Sequence, residues 1–407
     1  MKTPFNPAQN VQNLQFFGEF GGVNPSIEDS STFTFLKAQR MEDLFEKEID
    51  GCYLYSRHWN PTNHYLSEAL ARMENTEAAI VTASGMAAIT TTLLQLCSAG
   101  DEIVCSRMVY GGTYAFLKNV APRFGIVTRF VDITRPDLVE AAITSQTKVL
   151  YCESVSNPLL EVTDLPAMAA IARRHNLQLV VDNTFTPMVI SPANFGADVV
   201  IHSLTKFING TSDTVAGVIC ARQEFIHQLS DVHTGMAMLL GPVMDSVRAA
   251  SVLKNLHSLH VRMKQHSANA AYLAEQFRQY GIKVRYPGLA KHPQHELMKR
   301  MMNAEFGFGG MIVLNLDTKA NAYALMEKMQ QANLGYLAVS LGFYKTLFSS
   351  PGSSTSSEIP AEEREAMGLT DGLVRMSIGL DEVIADTWGR LKSCLDEVIQ
   401  TDTLVPA

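Results

Sequence analysis

The 407-residue chain has little from which to build a metal centre, a disulfide framework or a membrane anchor. Its six cysteines (Cys52, Cys97, Cys105, Cys152, Cys220 and Cys394) form no Cys-x-x-Cys pair and no Cys/His cluster. That spacing excludes an obvious metal-ligand set, and the thiols read as reduced and mostly buried. Long apolar runs are missing as well. No stretch approaches the ~20 residues of a spanning helix, and Met1-Lys-Thr-Pro-Phe-Asn-Pro7 lacks the apolar core of a secretory signal. No membrane association is expected, and the location is expected to be cytoplasmic. Charge is also sparse, at 18% of residues, with 33 basic against 41 acidic side chains. A net charge of −8 argues against a nucleic-acid partner. What is present is 46% hydrophobic residues, a globular composition on a chain too long for one ordinary core, so two domains are expected.

The chain is organised around Val199-Val-Ile-His-Ser-Leu-Thr-Lys-Phe207. Val199, Val200 and Ile201 read as a short buried strand that ends in His202, Ser203 and Thr205, close to Lys206. Asn209-Gly210 marks a turn, and Thr214 to Ile219 reads as the next strand. A lysine just past the carboxyl end of a buried strand sits where open α/β sheets place ligands. Desolvation there lowers its pKa and makes it a nucleophile toward an aldehyde. For an arbitrary lysine a solvated loop position is the ordinary reading, and Asp182 changes it. Leu177-Gln-Leu-Val-Val-Asp-Asn183 is another apolar strand ending in an acid. An acid and a lysine at two neighbouring strand ends suit pyridoxal 5'-phosphate (PLP): the lysine condenses with the aldehyde and the acid keeps the pyridine nitrogen protonated.

Asp182-Asn-Thr-Phe185, Gly196-Ala-Asp198 and His202-Ser-Leu-Thr-Lys206 together resemble the signature of the Cys/Met-metabolism family of PLP enzymes. That family includes methionine γ-lyase, cystathionine γ-synthase, the cystathionine lyases and O-acetylhomoserine sulfhydrylase. The resemblance runs from about Ser30 to about Asp381. It implies an α/β fold of type I (aspartate aminotransferase-like): a parallel-rich central sheet and a smaller C-terminal α/β domain. The expected divisions are an arm over 1–60 reaching the neighbouring subunit, a PLP-binding domain over 61–255 and a C-terminal domain over 256–407. A homotetramer built as a dimer of dimers is implied with them.

The remaining motifs fall into this frame in chain order. Tyr55-Ser-Arg57 before Asn60-Pro-Thr62 resembles the arm motif, in which Tyr55 and Arg57 contact the cofactor phosphate of the partner chain; a guanidinium fork suits a phosphate. Ala78 to Thr82 reads as a buried strand, and Ser84-Gly-Met86 opens a helix over 87–97. Gly85 lets backbone amides approach an anion at a helix N-terminus, so Gly85 and Met86 are expected to cradle the phosphate, though Met86 suits the core equally well. Ser203 and Thr205 are expected beside it. Tyr110, in Tyr110-Gly-Gly-Thr-Tyr114, matches the family tyrosine that stacks on the pyridine ring and moves protons to the leaving group. Asn157, after strand Lys148 to Glu153, matches the asparagine that bonds the ring oxygen and the substrate carboxylate. Strands, helix 162–175 and strand 177–182 alternate, which implies a parallel sheet covered on both faces. After Gly217 the pattern turns helical over 242–260 and 262–280, and the hinge is expected near 250–265. Further strands are expected at Lys283 to Arg285 and Gly310 to Leu316, with a helix over 321–332. The low-complexity stretch Ser349 to Glu358 is expected to form a mobile active-site wall, with Ile359 to Arg364 starting a helix. Arg375 lies on strand Gly372 to Gly379 among Leu373, Val374 and Met376. Those neighbours favour a buried role holding the substrate α-carboxylate over an exposed salt bridge.

Two positions bear on substrate. Relatives that bind the distal ammonium of cystathionine carry acids just before the Tyr-Ser-Arg motif and just before the serine of the Ser-Leu-Gly motif. Here those positions are Leu54 and Val339, the latter beside Ser340. An apolar wall suits a thioether methyl and leaves an ammonium unpaired. The expected reaction is therefore α,γ-elimination of L-methionine to methanethiol, 2-oxobutanoate and ammonia, with Lys206 and Tyr110 moving protons. The alternatives are a cystathionine γ-lyase or γ-synthase, an O-acetylhomoserine sulfhydrylase, and a binding or regulatory protein on the same fold. Methionine γ-lyases carry a cysteine two residues after the matching tyrosine, where this chain has Gly112, and Thr211 replaces a usual histidine.

Overall fold

The computed structural model describes residues 5–46, 51–353, 362, 364 and 367–402. Seven strands form the first sheet: β1 (Ala78–Thr82), β2 (Glu102–Ser106), β3 (Val127–Val131), β4 (Thr147–Glu153), β5 (Gln178–Asp182), β6 (Val199–Ser203) and β7 (Gly217–Ala221). Their order is β1-β7-β6-β5-β4-β2-β3. β3, β2, β4, β5 and β6 pair in parallel, and β7 is antiparallel to both β6 and β1. Six strands therefore aim their carboxyl ends at one edge of the sheet. The runs Val149–Cys152, Leu179–Val181 and Val199–Ile201 are fully buried, as strands covered on both faces must be.

Helices set the geometry of that edge. The Pro61–Glu74 helix starts at Asn60, whose side chain accepts from the amides of Thr62 and Asn63, and it stops at Asn75 in the left-handed region (φ 60°). Its last residue, Glu74, is buried against the sheet, where Glu74 Oε1 lies 2.6 Å from His202 Nε2. Asn183 Nδ2 donates to the same oxygen at 3.2 Å. This polar pair under β5 and β6 locks the two strand ends together.

The second sheet is ordered β10-β11-β12-β9-β8, with β8 (Lys283–Arg285), β9 (Met311–Asn315), β10 (Tyr336–Leu337), β11 (Leu347–Ser349) and β12 (Leu373–Ser377). It is covered by helices Lys319–Gln331 and Ile384–Asp402 over a core of its own that includes Ile312, Leu325 and Leu395. The Leu259–Tyr280 helix joins the halves: Met263 packs in the first core, Leu273 and Phe277 in the second. By contrast the N-terminal segment leaves Phe17, Phe20, Val23 and Leu36 exposed in the single chain.

The strand expected over 214–219 instead runs Gly217–Ala221. Thr205 is the cause: its hydroxyl accepts from Ala216 N at 3.0 Å and takes residue 216 out of the ladder. β3 was not expected, because as an edge strand it is half solvated and shows no apolar run. Ser349 closes β11 and Pro351–Ser353 forms a short 3-10 turn. Positions 354–358 of the expected wall, and all of 359–364 except 362 and 364, lie outside the described residues.

Replacing Glu74 by alanine leaves His202 buried without its carboxylate, and removing one partner of such a pair costs about 3–5 kcal/mol. Urea denaturation of Glu74→Ala should show a lowered midpoint with an unchanged slope. A loss below about 1 kcal/mol, the ordinary surface value, would mean that the pair is not holding the strand ends.

Candidate active site

The carboxyl edge of the first sheet opens on a cavity of about 320 Å³ lined by Ser84, Gly85, Met86, Tyr110, Glu153, Asn157, Asp182, Ser203, Thr205, Lys206, Val339, Ser340 and Arg375, among others. Each strand contributes at its end. β5 delivers Asp182, β4 delivers Glu153, and β6 leads through Ser203 to Lys206. Larger clefts exist on the surface, but none collects lysine, carboxylate and helix N-terminus together.

Lys206 is largely removed from water, and burial, followed by the charge of Arg375, lowers its pKa to about 8. Its Nζ donates to Ser340 Oγ at 2.9 Å. Arg375, 3% exposed, is also depressed by burial, to about 10, which Tyr110 opposes. Its Nη1 donates to Asn157 Oδ1 at 3.0 Å and its Nη2 to the Ser340 carbonyl at 3.3 Å. Nη2 also reaches Ser349 Oγ at 3.4 Å. No carboxylate meets this guanidinium among the described residues, so its charge faces the cavity. Ser340 holds φ at 117°, a region that strains a side chain by ~1–3 kcal/mol. Two cations grip it there, one through the hydroxyl and one through the carbonyl.

Two carboxylates balance them. Asp182 Oδ1 accepts from Thr184 N at 2.9 Å, and burial raises its pKa against that bond. Glu153 lies in register with Asp182 on the next strand. Burial, then Asp182, pushes its pKa well above the ordinary carboxylate range.

An anion pole lies across the cavity. In the Gly85–Leu96 helix, Ser84 Oγ accepts from Ala87 N at 3.0 Å and Ser84 O from Ala88 N at 3.1 Å. That leaves the amides of Gly85 and Met86 as the open donors of the first turn, on the positive end of the helix dipole. A Cβ at Gly85 would come within 2.7 Å of Ser203 Cβ, so only glycine lets this turn approach β6. Thr184 Oγ1 accepts from Ser203 N at 2.9 Å and fixes that strand end relative to Asp182. Residues for a phosphate, an aldehyde and a protonated pyridine nitrogen thus meet in one cavity, and the donor set fits PLP.

Tyr110 caps the Gly111–Ala115 helix at the cavity mouth. A Cβ at Gly112 would lie 2.5 Å from Tyr110 Cε1 and 3.1 Å from Met86 Sδ, so the ring occupies the space a cysteine would need there. Leu54, Tyr55 and Arg57 do not line their own chain's cavity; Arg57 stacks on the Tyr55 ring at 5.7 Å from its centroid. Glu153 and Thr184 were not singled out by sequence, whereas Ser349 opens the stretch expected to wall the site. Glu153 carried a usable signal, because it closes an apolar strand just as Asp182 does.

That division of labour, with one sheet edge supplying lysine, acid and anion pole, defines a fold-type I PLP-dependent enzyme. Comparison with known proteins narrows the class. The model of the Cys/Met metabolism PLP-dependent enzymes matches residues 8–395, and the chain belongs to that family. It is 45% identical over 390 residues to a methionine gamma-lyase of Arabidopsis thaliana, covering 94% of this chain and 88% of that one. A cystathionine beta-lyase of Lactococcus lactis is 39% identical over 351 residues, covering 85% and 89%. Among solved structures, a Campylobacter jejuni chain assigned as an O-acetylhomoserine (thiol)-lyase superposes with a TM-score of 0.89 at 28% identity, covering 96% and 100%. A lysine of that chain carries the pyridoxyl phosphate group. PLP is the cofactor of this chain.

A lysine of pKa about 8 turns nucleophilic well below the ordinary pH of 10. Recombination of apoenzyme with PLP should accelerate as pH rises through about 8 and then level off, followed as growth of visible absorbance. An inflection near 10.5 would mean that Lys206 is solvated.

Proposed function

We propose that the chain catalyses α,γ-elimination of L-methionine, with one water consumed and methanethiol, 2-oxobutanoate and ammonia released. The observation carrying this reading is Val339, which lines the cavity next to Ser340; among the described residues the acids lining that cavity are Asp182 and Glu153, and Glu327 meets Val339 in a separate surface cleft. Both cavity carboxylates are already engaged at the sheet edge, Asp182 by Thr184 and Glu153 by two amides. A distal ammonium would be desolvated there without a partner, whereas a methyl thioether suits the wall. The methionine gamma-lyase relative supports the same assignment.

Bound PLP supplies the electron sink that makes the substrate Cα–H acidic. Lys206, uncharged at modest cost because it is buried, takes the Cα proton and serves again at Cβ. The Tyr110 phenol, at the cavity mouth, gives a proton to the departing sulfur. Arg375, steadied by Asn157, Ser340 and Ser349, holds the α-carboxylate. Asp182 would keep the pyridine nitrogen protonated, while Gly85, Met86, Ser203 and Thr205 would hold the phosphate. Ser340 keeps the lysine amine aimed into the cavity between transfers.

The N-terminal arm, with its exposed apolar side chains, belongs to an assembly in this reading. Tyr55 and Arg57 complete the phosphate site of a neighbouring subunit, Leu54 lies against that subunit's substrate, and two such dimers form a homotetramer. The arm over 1–60, the cofactor domain over 61–255 and the C-terminal domain over 256–407 divide these tasks. A cytoplasmic location goes with it; among the described residues no helix is long and apolar enough to cross a membrane.

Two experiments test the proposal. Methionine should show the higher kcat/KM over cystathionine, and Val339→Glu should move the preference by about tenfold or more, the worth of one charged hydrogen bond. A wild type that prefers cystathionine, or that makes 2-oxobutanoate only from O-acetylhomoserine, would replace methionine elimination with the corresponding activity. Arg57→Ala should speed loss of PLP on dilution. Full retention by a monomer would overturn the shared phosphate site.

A further inference from the structure

Glu153 is the one buried acid at the active edge to which the proposed chemistry gives no task. It is 5% exposed, at the end of β4, and each of its oxygens takes a different backbone amide. Oε1 accepts from Tyr110 N and Oε2 from Asn157 N, both at 2.7 Å. The Tyr110 side chain makes no capping bond to its own helix, and Glu153 anchors the Tyr110 backbone amide at the helix start. On its other arm, Asn157 passes the constraint on, because its Oδ1 accepts from Arg375. One carboxyl therefore ties together the backbone beneath a phenol and the amide that steadies a guanidinium. A group buried beside Asp182 pays heavily for charge, yet only a carboxylate presents an acceptor at both oxygens.

We propose that Glu153 is a positioning residue with two arms, setting the Tyr110 phenol through one oxygen and the Asn157–Arg375 pair through the other. This rests on the roles of Tyr110 and Arg375 proposed above. Displacing either by a fraction of an ångström weakens proton delivery or carboxylate binding, since reacting groups tolerate little misplacement. The two arms make separable claims, one on kcat and one on binding.

Glu153→Gln keeps shape but turns one acceptor into a donor facing an N–H. In holoenzyme it should lower kcat for methionine by about 10- to 100-fold and weaken binding of L-norleucine, which lacks a leaving group, by about tenfold. Norleucine binding is read from the change in the visible spectrum and needs no turnover. In a Tyr110→Phe background the same substitution should no longer lower kcat, because the phenol it positions is gone, while the norleucine defect persists. Equal kcat losses in both backgrounds, or an unchanged norleucine affinity, would overturn the proposal. So would a drop in melting temperature with kcat and affinity unaltered. Should Glu153→Gln fail to fold, Glu153→Asp, one methylene too short to reach both amides, takes the same measurements. A wild type that releases no methanethiol but still binds norleucine would refute the substrate reading alone, and the Arg375 arm would still be measured.

Discussion

Burying an amine is the constraint on which the active edge depends. Lys206 is taken out of water at the end of a sheet whose six co-directed strands converge there, and Arg375 is buried with it. Two desolvated cations would repel each other without compensation, and the structure answers through geometry. Ser340 accepts from both, Asn157 accepts from Arg375, and Asp182 and Glu153 stand on adjacent strands beneath. The carboxylates are penalised in turn, and backbone amides hold them. Each group at this edge is kept in an unfavourable state by its neighbours, and that mutual dependence gives a lysine reactive near neutrality.

Much of the frame was legible in the sequence because the relevant physics is local. β1 was read with its observed bounds, since an apolar run stopped by Thr and Ser leaves no other choice of element. Lys206, Asp182, Arg375 and Val339, separated by as many as 193 positions, line one cavity; for the first three the signal was a polar residue closing or interrupting a buried run, and for Val339 it was the family resemblance. β3 and the start of β7 were not legible: one is a half-solvated edge, and the other is set by a threonine eleven residues earlier. Glu153 was passed over although it carries the same mark as Asp182; its two amide partners lie in loops whose return to β4 no periodicity encodes.

Tyr55, Arg57 and Leu54 illustrate a different limit. Nothing local distinguishes a surface Tyr-x-Arg from one that serves another copy of the chain. Their distance from their own cavity, and the exposure of Phe17, Phe20 and Leu36 along the same segment, describe a segment with no core of its own. Val11, Leu14 and Phe16 of that segment pack on the first core, while the three side chains just named stay exposed in the single chain.

β7 runs against its neighbours, so its first residue, not its last, reaches the active edge. Lys206 therefore rides on a hairpin whose two stems, β6 and β7, both belong to the first sheet. Ser340, Ser349 and Arg375 ride instead on the second sheet and its loops. The two groups thus ride on different sheets, joined where Asn157, beyond the end of β4, accepts from Arg375. Sliding one sheet past the other alters the Lys206–Ser340 separation and leaves the lysine's relation to Asp182 untouched. A shift of one layer therefore changes the surroundings of Ser340 while the spacing of Lys206 and Asp182, both on the first sheet, is held constant.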